Sequence, residues 1–152
     1  MPDLESLKRA YNPRAIAIVG ASEKSEARWQ GTVFIKNLQK SGYKGAIYPV
    51  NPNAKDILGM KVYPSLASLP EPVDLAIVSV SSPNSIAVME DCIAAGIKNI
   101  HFFTAGFSET GEEEGKILEE RLKQLALNNG INLVGPNCMG LNVPSSGMVI
   151  LQ

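Results

Sequence analysis

The chain has 152 residues, of which 45% are hydrophobic and 19% are charged, and its formal net charge is -1. This length and composition are typical of one globular domain with its own core, and they exclude an intrinsically disordered chain. The near-neutral charge gives no basic footprint for nucleic acid, and no apolar run approaches the roughly 20 residues of a membrane-spanning helix.

Short apolar runs alternate along the sequence with segments whose apolar residues recur at helical spacing. In chain order they predict helix 4–11 with Asp3 as its N-cap, strand 15–19, helix 31–41, strand 46–50, a minor element at 61–69, strand 73–80, a helix from Pro83 to the residue before Gly96 with Ser82 as its cap, strand 99–103, helix 112–128 and strand 131–134. This alternation predicts an α/β fold: a Rossmann-like, doubly wound, parallel five-stranded sheet with helices on both faces.

Some positions refine this outline. Pro49 has no N–H for a sheet ladder, so the second strand is expected to be irregular or near a sheet edge. The helix at 31–41 carries Phe34, Ile35 and Leu38 on one side, which predicts its buried face. The last segment, residues 141–152, could start a linker or another strand, and the sequence ends on an apolar run. We expect residues 1–143 to form the domain and residues 144–152 to start a linker to a following domain absent from this chain.

The cysteines and the N-terminus bear on the cellular compartment. Cys92 lies in an apolar helical pattern and Cys138 in a Pro-Asn-Cys-Met-Gly turn, so both are expected to be reduced thiols. Residues 1–6 show neither the basic region nor the apolar region of a signal peptide. We therefore expect a cytoplasmic protein.

Ligands of open α/β sheets bind outside the carboxyl ends of the strands, so the loops that follow the strands are the candidate site. The first loop runs from Gly20, directly after a strand, to Gly31, at the start of a helix. Backbone N–H groups and a helix N-terminus favour a phosphate there, although a simple turn has the same ends. Lys24, Arg28 and Lys55 could supply charge to a phosphorylated ligand, or they could be ordinary surface cations.

The common nucleotide motifs are absent. Gly20 is followed by Ala21 and Ser22 in place of the dinucleotide fingerprint G-x-G-x-x-G, and no G-K-[ST] occurs in the sequence. After the second strand, Asn51 and Pro52 stand where a carboxylate would bind the ribose of NAD. These features disfavour an NAD(P)-binding domain.

Together the loops resemble a known family. The stretches AIVGAS (17–22), YPVNP (48–52), PVDLAI (72–77), AGFSE (105–109) and GPNC (135–138) occur in the order found in the CoA-binding domain of NDP-forming acyl-CoA synthetases. This superfamily includes the ADP-forming acetate–CoA ligases, which are the closer match, and the succinyl-CoA synthetase alpha subunit. The sequence departs from the family at Ser81, where proline is usual.

The resemblance implies a set of coenzyme A contacts. Phosphates would lie on the first loop, the adenosine end near the second strand, the pantetheine beside the third and fourth loops, and the thiol near the last loop. The implied residues are Gly20, Ala21, Ser22, Lys24, Arg28, Gly31, Val50, Asn51, Pro52, Lys55, Val80, Ser81, Ser82, Ala105, Gly106, Asn137 and Cys138.

The resemblance also implies that this chain alone is catalytically incomplete. In the full enzymes, acid, CoA and ATP become acyl-CoA, ADP and phosphate through a phosphohistidine domain and an ATP-grasp domain, and ATP or ADP and Mg bind only there. We expect neither a catalytic residue nor a metal site in this chain. His101 lies in a predicted strand and is interpreted as a residue near the core.

Two other functions are weighed against this one. The domain could sense CoA or a nucleotide for an attached protein acetyltransferase, which a different following domain would reveal. It could also bind NAD(P), against which the missing fingerprint argues. No nucleic-acid or membrane partner is expected.

Overall fold

The computed structural model describes residues 4–22 and 31–151. Asp3, Lys24 and Arg28, for which the sequence predicts an N-cap and two phosphate-binding cations, lie outside the described residues. Among the described residues, no helix is long and apolar enough to cross a membrane.

The architecture is a five-stranded parallel sheet with helices on both faces, as the sequence predicts. Its strands are β1 (Ala15–Val19), β2 (Ala46–Val50), β5 (Leu75–Val78), β6 (Asn99–Phe102) and β7 (Asn132–Val134). Two short antiparallel pairs lie outside this sheet: β3 (Asp56–Ile57) with β4 (Met60–Lys61), and β8 (Gly140–Val143) with β9 (Met148–Leu151). The helices are α1 (Leu4–Tyr11), α2 (Gly31–Lys40), α3 (Ser85–Ala94) and α4 (Glu113–Asn129).

The order of the parallel strands is β2-β1-β5-β6-β7. From β1 the chain passes through α2 to β2 on one side, and from β5 it passes through α3 to β6 on the other side. The strand order therefore reverses between β1 and β5. In doubly wound sheets this switch point is where the loops separate and leave a crevice for a ligand.

The central strands are apolar because both of their faces are covered. Every residue of β1, β5 and β6 is buried. Along β1, Ala15, Ala17 and Val19 face the core layer under α3 and α4, whereas Ile16 and Ile18 face the layer under α2. A strand buried on both faces reads as a continuous apolar run, which explains why the sequence locates these strands.

The helices bury the faces that helical spacing predicts. Phe34, Ile35 and Leu38 of α2 are fully buried on one side of the sheet, and Met89 of α3 and Leu122 of α4 are fully buried on the other. Burial of such a side chain stabilises a fold by roughly 1.5–3 kcal/mol. These contacts hold the strands, and therefore the loops that follow them, in fixed positions.

The second strand lies at the sheet edge, as Pro49 predicts. The Pro49 carbonyl accepts a hydrogen bond from the Tyr63 amide at 2.9 Å, and the Tyr63 carbonyl accepts one from the Asn51 amide at 2.9 Å. The segment around Tyr63 thus covers the outer edge of β2 where it reaches the candidate site.

The predicted start of the third helix is wrong. Residues 82–84 form a separate 3-10 turn, preceded by Ser81 in an extended conformation, and α3 begins only at Ser85. The Ser85 hydroxyl donates a hydrogen bond to the Ser82 carbonyl at 2.6 Å, which stabilises the tighter turn. Pro83 is therefore the second residue of a 3-10 turn instead of the first residue of the helix.

The chain continues as a hairpin across the domain boundary that the sequence predicts at Val143. Strand β9 pairs antiparallel with β8, and Met148 and Ile150 are fully buried in the core layer that contains α2. Residues 148–151 therefore pack against the domain in this structure. The boundary at residue 143 within a longer protein stays a prediction.

The N-terminal end of the sheet is held by a charged pair. The Arg14 side chain donates two hydrogen bonds to the Asp74 carboxylate at 2.9 Å each, and the Arg14 backbone amide donates a third at 2.9 Å. The Arg14 guanidinium holds the pKa of Asp74 below its usual value, against the effect of desolvation. This network is at the opposite end of the strands from the crevice, so it fixes the fold without entering the candidate site.

His101 lies in β6 and is a core residue, as its position in the strand pattern predicts. Its side chain is 1% exposed and stacks on Phe103 with 4.5 Å between ring centroids. Its Nε2 atom is buried without a hydrogen-bond partner, and desolvation lowers the pKa of His101 from 6.5 to about 4. The imidazole is therefore neutral near pH 7.

This burial predicts a pH dependence of stability. Between a folded pKa of about 4 and the ordinary value of 6.5, the unfolded chain binds more protons at His101 than the folded chain does, so the free energy of unfolding rises with pH in this window. We expect His101 to lower stability by about 2 kcal/mol between pH 7 and pH 5. The His101→Leu variant should lose this contribution, as urea unfolding at both pH values would measure.

The carboxylates titrate in both proteins, so the comparison is the difference between the wild type and the variant. Equal losses of stability in the two proteins would show that His101 does not have the lowered pKa.

Candidate functional site

The loops after β1 and β5 meet at the switch point with almost no space between their backbones. Gly20 has a φ of +89°, and a Cβ there would lie 2.3 Å from the Ser79 carbonyl oxygen and 2.9 Å from Val80 Cγ1. Real side chains do not approach a carbonyl so closely, and L-residues rarely adopt this φ. Only glycine fits this position without strain.

Two hydrogen bonds connect the first loop to the end of β2. The Gly20 amide donates to the Val50 carbonyl at 3.0 Å, and the Asn51 side-chain amide donates to the Ala21 carbonyl at 2.7 Å. Asn51 therefore orders the loop at the position where a dinucleotide-binding domain would carry a ribose-binding carboxylate. At the far end of this loop, the Thr32 hydroxyl of α2 donates to the Ser22 carbonyl at 3.4 Å.

A cleft of about 420 Å³ opens beside these loops. It is largely apolar with a few polar groups, as small-molecule sites usually are. Asp91 is the one charged side chain among the described lining residues. The lining residues are Val19, Gly20, Val50, Asn51, Pro52, Asn53, Pro64, Ser65, Leu66, Val80, Asn84, Ala87, Val88 and Asp91.

The cleft brings together part of the residue set expected from the sequence. Gly20, Val50, Asn51, Pro52 and Val80 line it. The other expected residues in the described part of the chain do not line it. They are the fully buried Ala21, Ser22, the buried Gly31 at the start of α2, the exposed Lys55, Ser81, Ser82, Ala105, Gly106, Asn137 and Cys138.

The loop after β6 is joined to the loop after β5. Thr104 is 5% exposed, and its hydroxyl donates a hydrogen bond to the Val80 carbonyl at 2.8 Å. Gly106 has a φ of +102°, and a Cβ there would lie 2.6 Å from Ser82 Oγ. The backbone at Gly106 thus passes directly over Ser82.

The loop after β7 joins the same set. The Asn137 amide donates to the Thr104 carbonyl at 2.9 Å, and Asn137 has a φ of +47°. Cys138 is half-buried and unpaired to another cysteine, and its Sγ accepts a hydrogen bond from the Gly140 amide at 3.4 Å. Thr104 therefore connects three successive strand-end loops through its hydroxyl and its carbonyl.

Sequence reasoning missed two walls of the cleft. Pro64, Ser65 and Leu66 reach it because Tyr63 pairs with the edge of β2, and this long-range contact leaves no local signal in the sequence. One face of α3, including Val88 and Asp91, forms another wall. Because α3 follows the loop at the switch point, its position in the sequence could have indicated that one of its faces lines the crevice.

No group of three or more His, Cys, Asp or Glu side chains that could hold a metal ion occurs among the described residues. Besides the Asp91 carboxylate, the cleft offers backbone groups, amides and hydroxyls among apolar side chains. Such a surface can bind a ligand that carries amides at little cost in buried charge.

Comparison with known proteins identifies the family of this chain. The family model of the CoA binding domain matches residues 14–144. Acetate–CoA ligase [ADP-forming] II of Archaeoglobus fulgidus is 38% identical over 98% of this chain and 21% of its own length. The alpha subunit of acetate–CoA ligase [ADP-forming] II of Pyrococcus furiosus is 40% identical over 86% of this chain and 28% of its own length.

A solved structure is similar as well. Acetyl-coenzyme A synthetase 1 of Candidatus Korarchaeum cryptofilum, in complex with phosphate and ADP, has a TM-score of 0.85 and 40% identity, covering 99% of this chain and 31% of that chain. This chain thus spans about a fifth to a third of the length of these relatives. Since the family model matches most of its length, this chain belongs to the family of CoA binding domains, and within that family it is similar to the domains of ADP-forming acetate–CoA ligases.

Proposed function

We propose that this chain binds coenzyme A along the carboxyl ends of its sheet, in the cleft at the switch point and over the loops beside it. The observation that carries the proposal is the junction at Gly20, where two loops and the start of a cleft meet in a domain of the CoA-binding family. Backbone amides and small polar side chains in these loops suit the phosphates and amides of this ligand.

The order of the loops supports an orientation for the ligand. Across the carboxyl ends of the five strands, the loops carry, in spatial order from β2 to β7, the residues Asn51, Gly20, Val80, Ala105 and Asn137. Five strands at the usual spacing extend for about 19 Å, so an elongated ligand can contact all these loops in sequence.

In this orientation, adenosine lies near Val50, Asn51 and Pro52, with Lys55 beside its phosphate. The remaining phosphates lie on the loop from Gly20 to Gly31, to which Ala21 and Ser22 belong and in which Lys24 and Arg28 are the proposed cations. Pantetheine passes the segments 80–82 and 105–106, and the thiol end reaches Asn137 and Cys138. The neutral arm thus runs past the Thr104 junction, which holds the loops on both sides of it.

We further propose that the longer protein is an NDP-forming acyl-CoA synthetase of the cytoplasm, with residues 1–143 as its CoA-binding domain. The similarity to acetate–CoA ligases, of which this chain spans only a part, supports this. A phosphohistidine domain and an ATP-grasp domain would then lie outside this chain, together with the binding of ATP, ADP and Mg. This chain contributes the CoA site and no catalytic group.

The two alternative functions have less support. The relatives named above are CoA ligases, which does not favour a sensor domain of an acetyltransferase. An NAD(P) site would need a ribose-binding group after β2, where the Asn51 side chain is already donating to the Ala21 carbonyl.

Titration calorimetry of the 152-residue chain would test CoA binding. We expect saturable binding of CoA, weaker binding of dephospho-CoA and no binding of NAD. The Lys55→Ala variant should bind CoA about threefold more weakly, because an exposed cation contributes up to about 1 kcal/mol to a phosphate contact. Its affinity for dephospho-CoA should be unchanged.

Lys44→Ala is the matched control, because Lys44 is also exposed but precedes β2 at the opposite end of the sheet. A folded wild-type chain that binds no CoA would contradict the proposed function. A loss of CoA affinity in Lys44→Ala equal to that in Lys55→Ala would contradict the proposed position of the phosphate.

Gly20→Ala tests the junction of the two loops. The added Cβ would meet the Ser79 carbonyl, so we expect a loss of about 1–3 kcal/mol in the free energy of unfolding and at least about tenfold weaker CoA binding. Urea unfolding and calorimetry would measure the two effects.

Gly130→Ala is the control for backbone conformation alone. Gly130 has a φ of +62° at the end of α4, and a Cβ there has no heavy atom within 4 Å. This variant should keep its CoA affinity. Unchanged CoA binding in Gly20→Ala would show that the ligand does not use this junction.

A further inference from the structure

Glu109 binds the backbone of the loop that precedes it. It lies in the 3-10 turn Ser108–Thr110 after β6. One carboxylate oxygen accepts a hydrogen bond from the Gly106 amide at 2.7 Å, and the other accepts one from the Phe107 amide at 3.0 Å. Both oxygens of one side chain therefore bind two consecutive N–H groups.

These bonds determine where the loop lies. Phe107 is fully buried and anchors one end of the loop in the core. At the other end, Gly106 adopts a φ of +102°, a region that a flexible glycine leaves readily. Fixing backbone residues in one conformation costs conformational entropy, which the two hydrogen bonds from Gly106 and Phe107 offset.

The fixed loop in turn lies against the segment that follows β5. Gly106 is so close to Ser82 that a Cβ would be 2.6 Å from the Ser82 hydroxyl oxygen. The segments 80–82 and 105–106 therefore form one continuous surface, and the pantetheine arm is proposed to pass along it. Any displacement of Gly106 would change that surface.

We propose that Glu109 is a positioning residue for coenzyme A: its carboxylate holds residues 105–107 in the conformation that receives the pantetheine arm. The inference rests on the proposed CoA binding. Glu109 would raise the affinity for coenzyme A by holding the loop in place, without touching the ligand itself.

Ionisation of Glu109 fits this part. Partial burial alone would raise the pKa of Glu109, but hydrogen bonds from the amides of Gly106, Glu109 and Phe107 outweigh it and lower the pKa. The side chain is therefore an anion at neutral pH, and both oxygens act as acceptors. In Glu109→Gln, one acceptor becomes an NH₂ group that cannot accept a bond from a backbone amide.

The test compares two ligands on two variants of the 152-residue chain. The ligands are CoA and 3′-phosphoadenosine 5′-diphosphate, which has the nucleotide end of CoA and lacks pantetheine. The variants are Glu109→Gln and, as the matched control, Glu114→Gln, which removes an equal charge from an exposed residue in the first turn of α4.

We expect Glu109→Gln to bind CoA about five- to tenfold more weakly than the wild type, because it loses one charge-assisted hydrogen bond. Its affinity for the pantetheine-free ligand should stay within about twofold of the wild-type affinity, since that ligand does not reach the loop. Amide hydrogen exchange at Gly106 and Phe107 should become faster, whereas exchange in β6 should not change. Glu114→Gln should match the wild type in all three measurements.

Equal losses of affinity for both ligands would overturn the inference, because they would indicate a general structural defect. Unchanged CoA affinity in Glu109→Gln, or unchanged exchange at Gly106 and Phe107, would also overturn it while leaving the proposed function intact. A wild-type chain that binds neither ligand would overturn the proposed function and this inference together.

Discussion

The close approach of Gly20 to the Ser79 carbonyl is the constraint on which the candidate site depends. The strands β1 and β5 are neighbours, and the chain leaves them toward opposite sides of the sheet. The two backbones first have to pass each other with no side chain between them, at a φ of +89° for Gly20. Beyond that contact the loops separate, and the crevice between them is a consequence of the strand order.

Hydrogen bonds from side chains hold the loops that follow the strands in fixed positions relative to one another. Asn51 joins the loops after β2 and β1, and Thr104 joins those after β5, β6 and β7. Since Thr104 is almost completely buried, its hydroxyl would be costly without the Val80 carbonyl as a partner. These bonds give neighbouring loops a common position, which allows a site assembled from several strand ends to keep one shape before a ligand arrives.

The sequence predicts the layers of this fold well because their signals are local. The buried strands are continuous apolar runs, and α2 shows Phe34, Ile35 and Leu38 at helical spacing. It failed at the start of α3, where a hydroxyl bond from Ser85 favours a 3-10 turn over the helix that Pro83 alone would indicate.

Contacts between distant segments were beyond prediction. The wall of the cleft at Pro64 and Leu66 exists because Tyr63 pairs with β2, and neither partner carries a signal for the other. Likewise, the alternation at Met148 and Ile150 is compatible with a strand, but nothing in the sequence identifies α2 as the surface that buries it. The motifs of the loops predict which strand ends form the candidate site, whereas the distances across it come only from the packing.

The distribution of charge gives a physical reason for the orientation proposed for coenzyme A. Near β6, the Glu109 carboxylate is bound to the amides of its own loop, so its charge is compensated there and is not directed at a ligand. In the loop after β2, Lys55 is exposed, and a phosphate there would gain from a cation. Asp91, the one charged side chain among the described residues that line the cleft, would disfavour a phosphate within the cleft itself. These charges support the proposed orientation, with the phosphates on the loops after β1 and β2 and the neutral arm toward β6 and β7. The reverse orientation would remove the phosphates from Lys55.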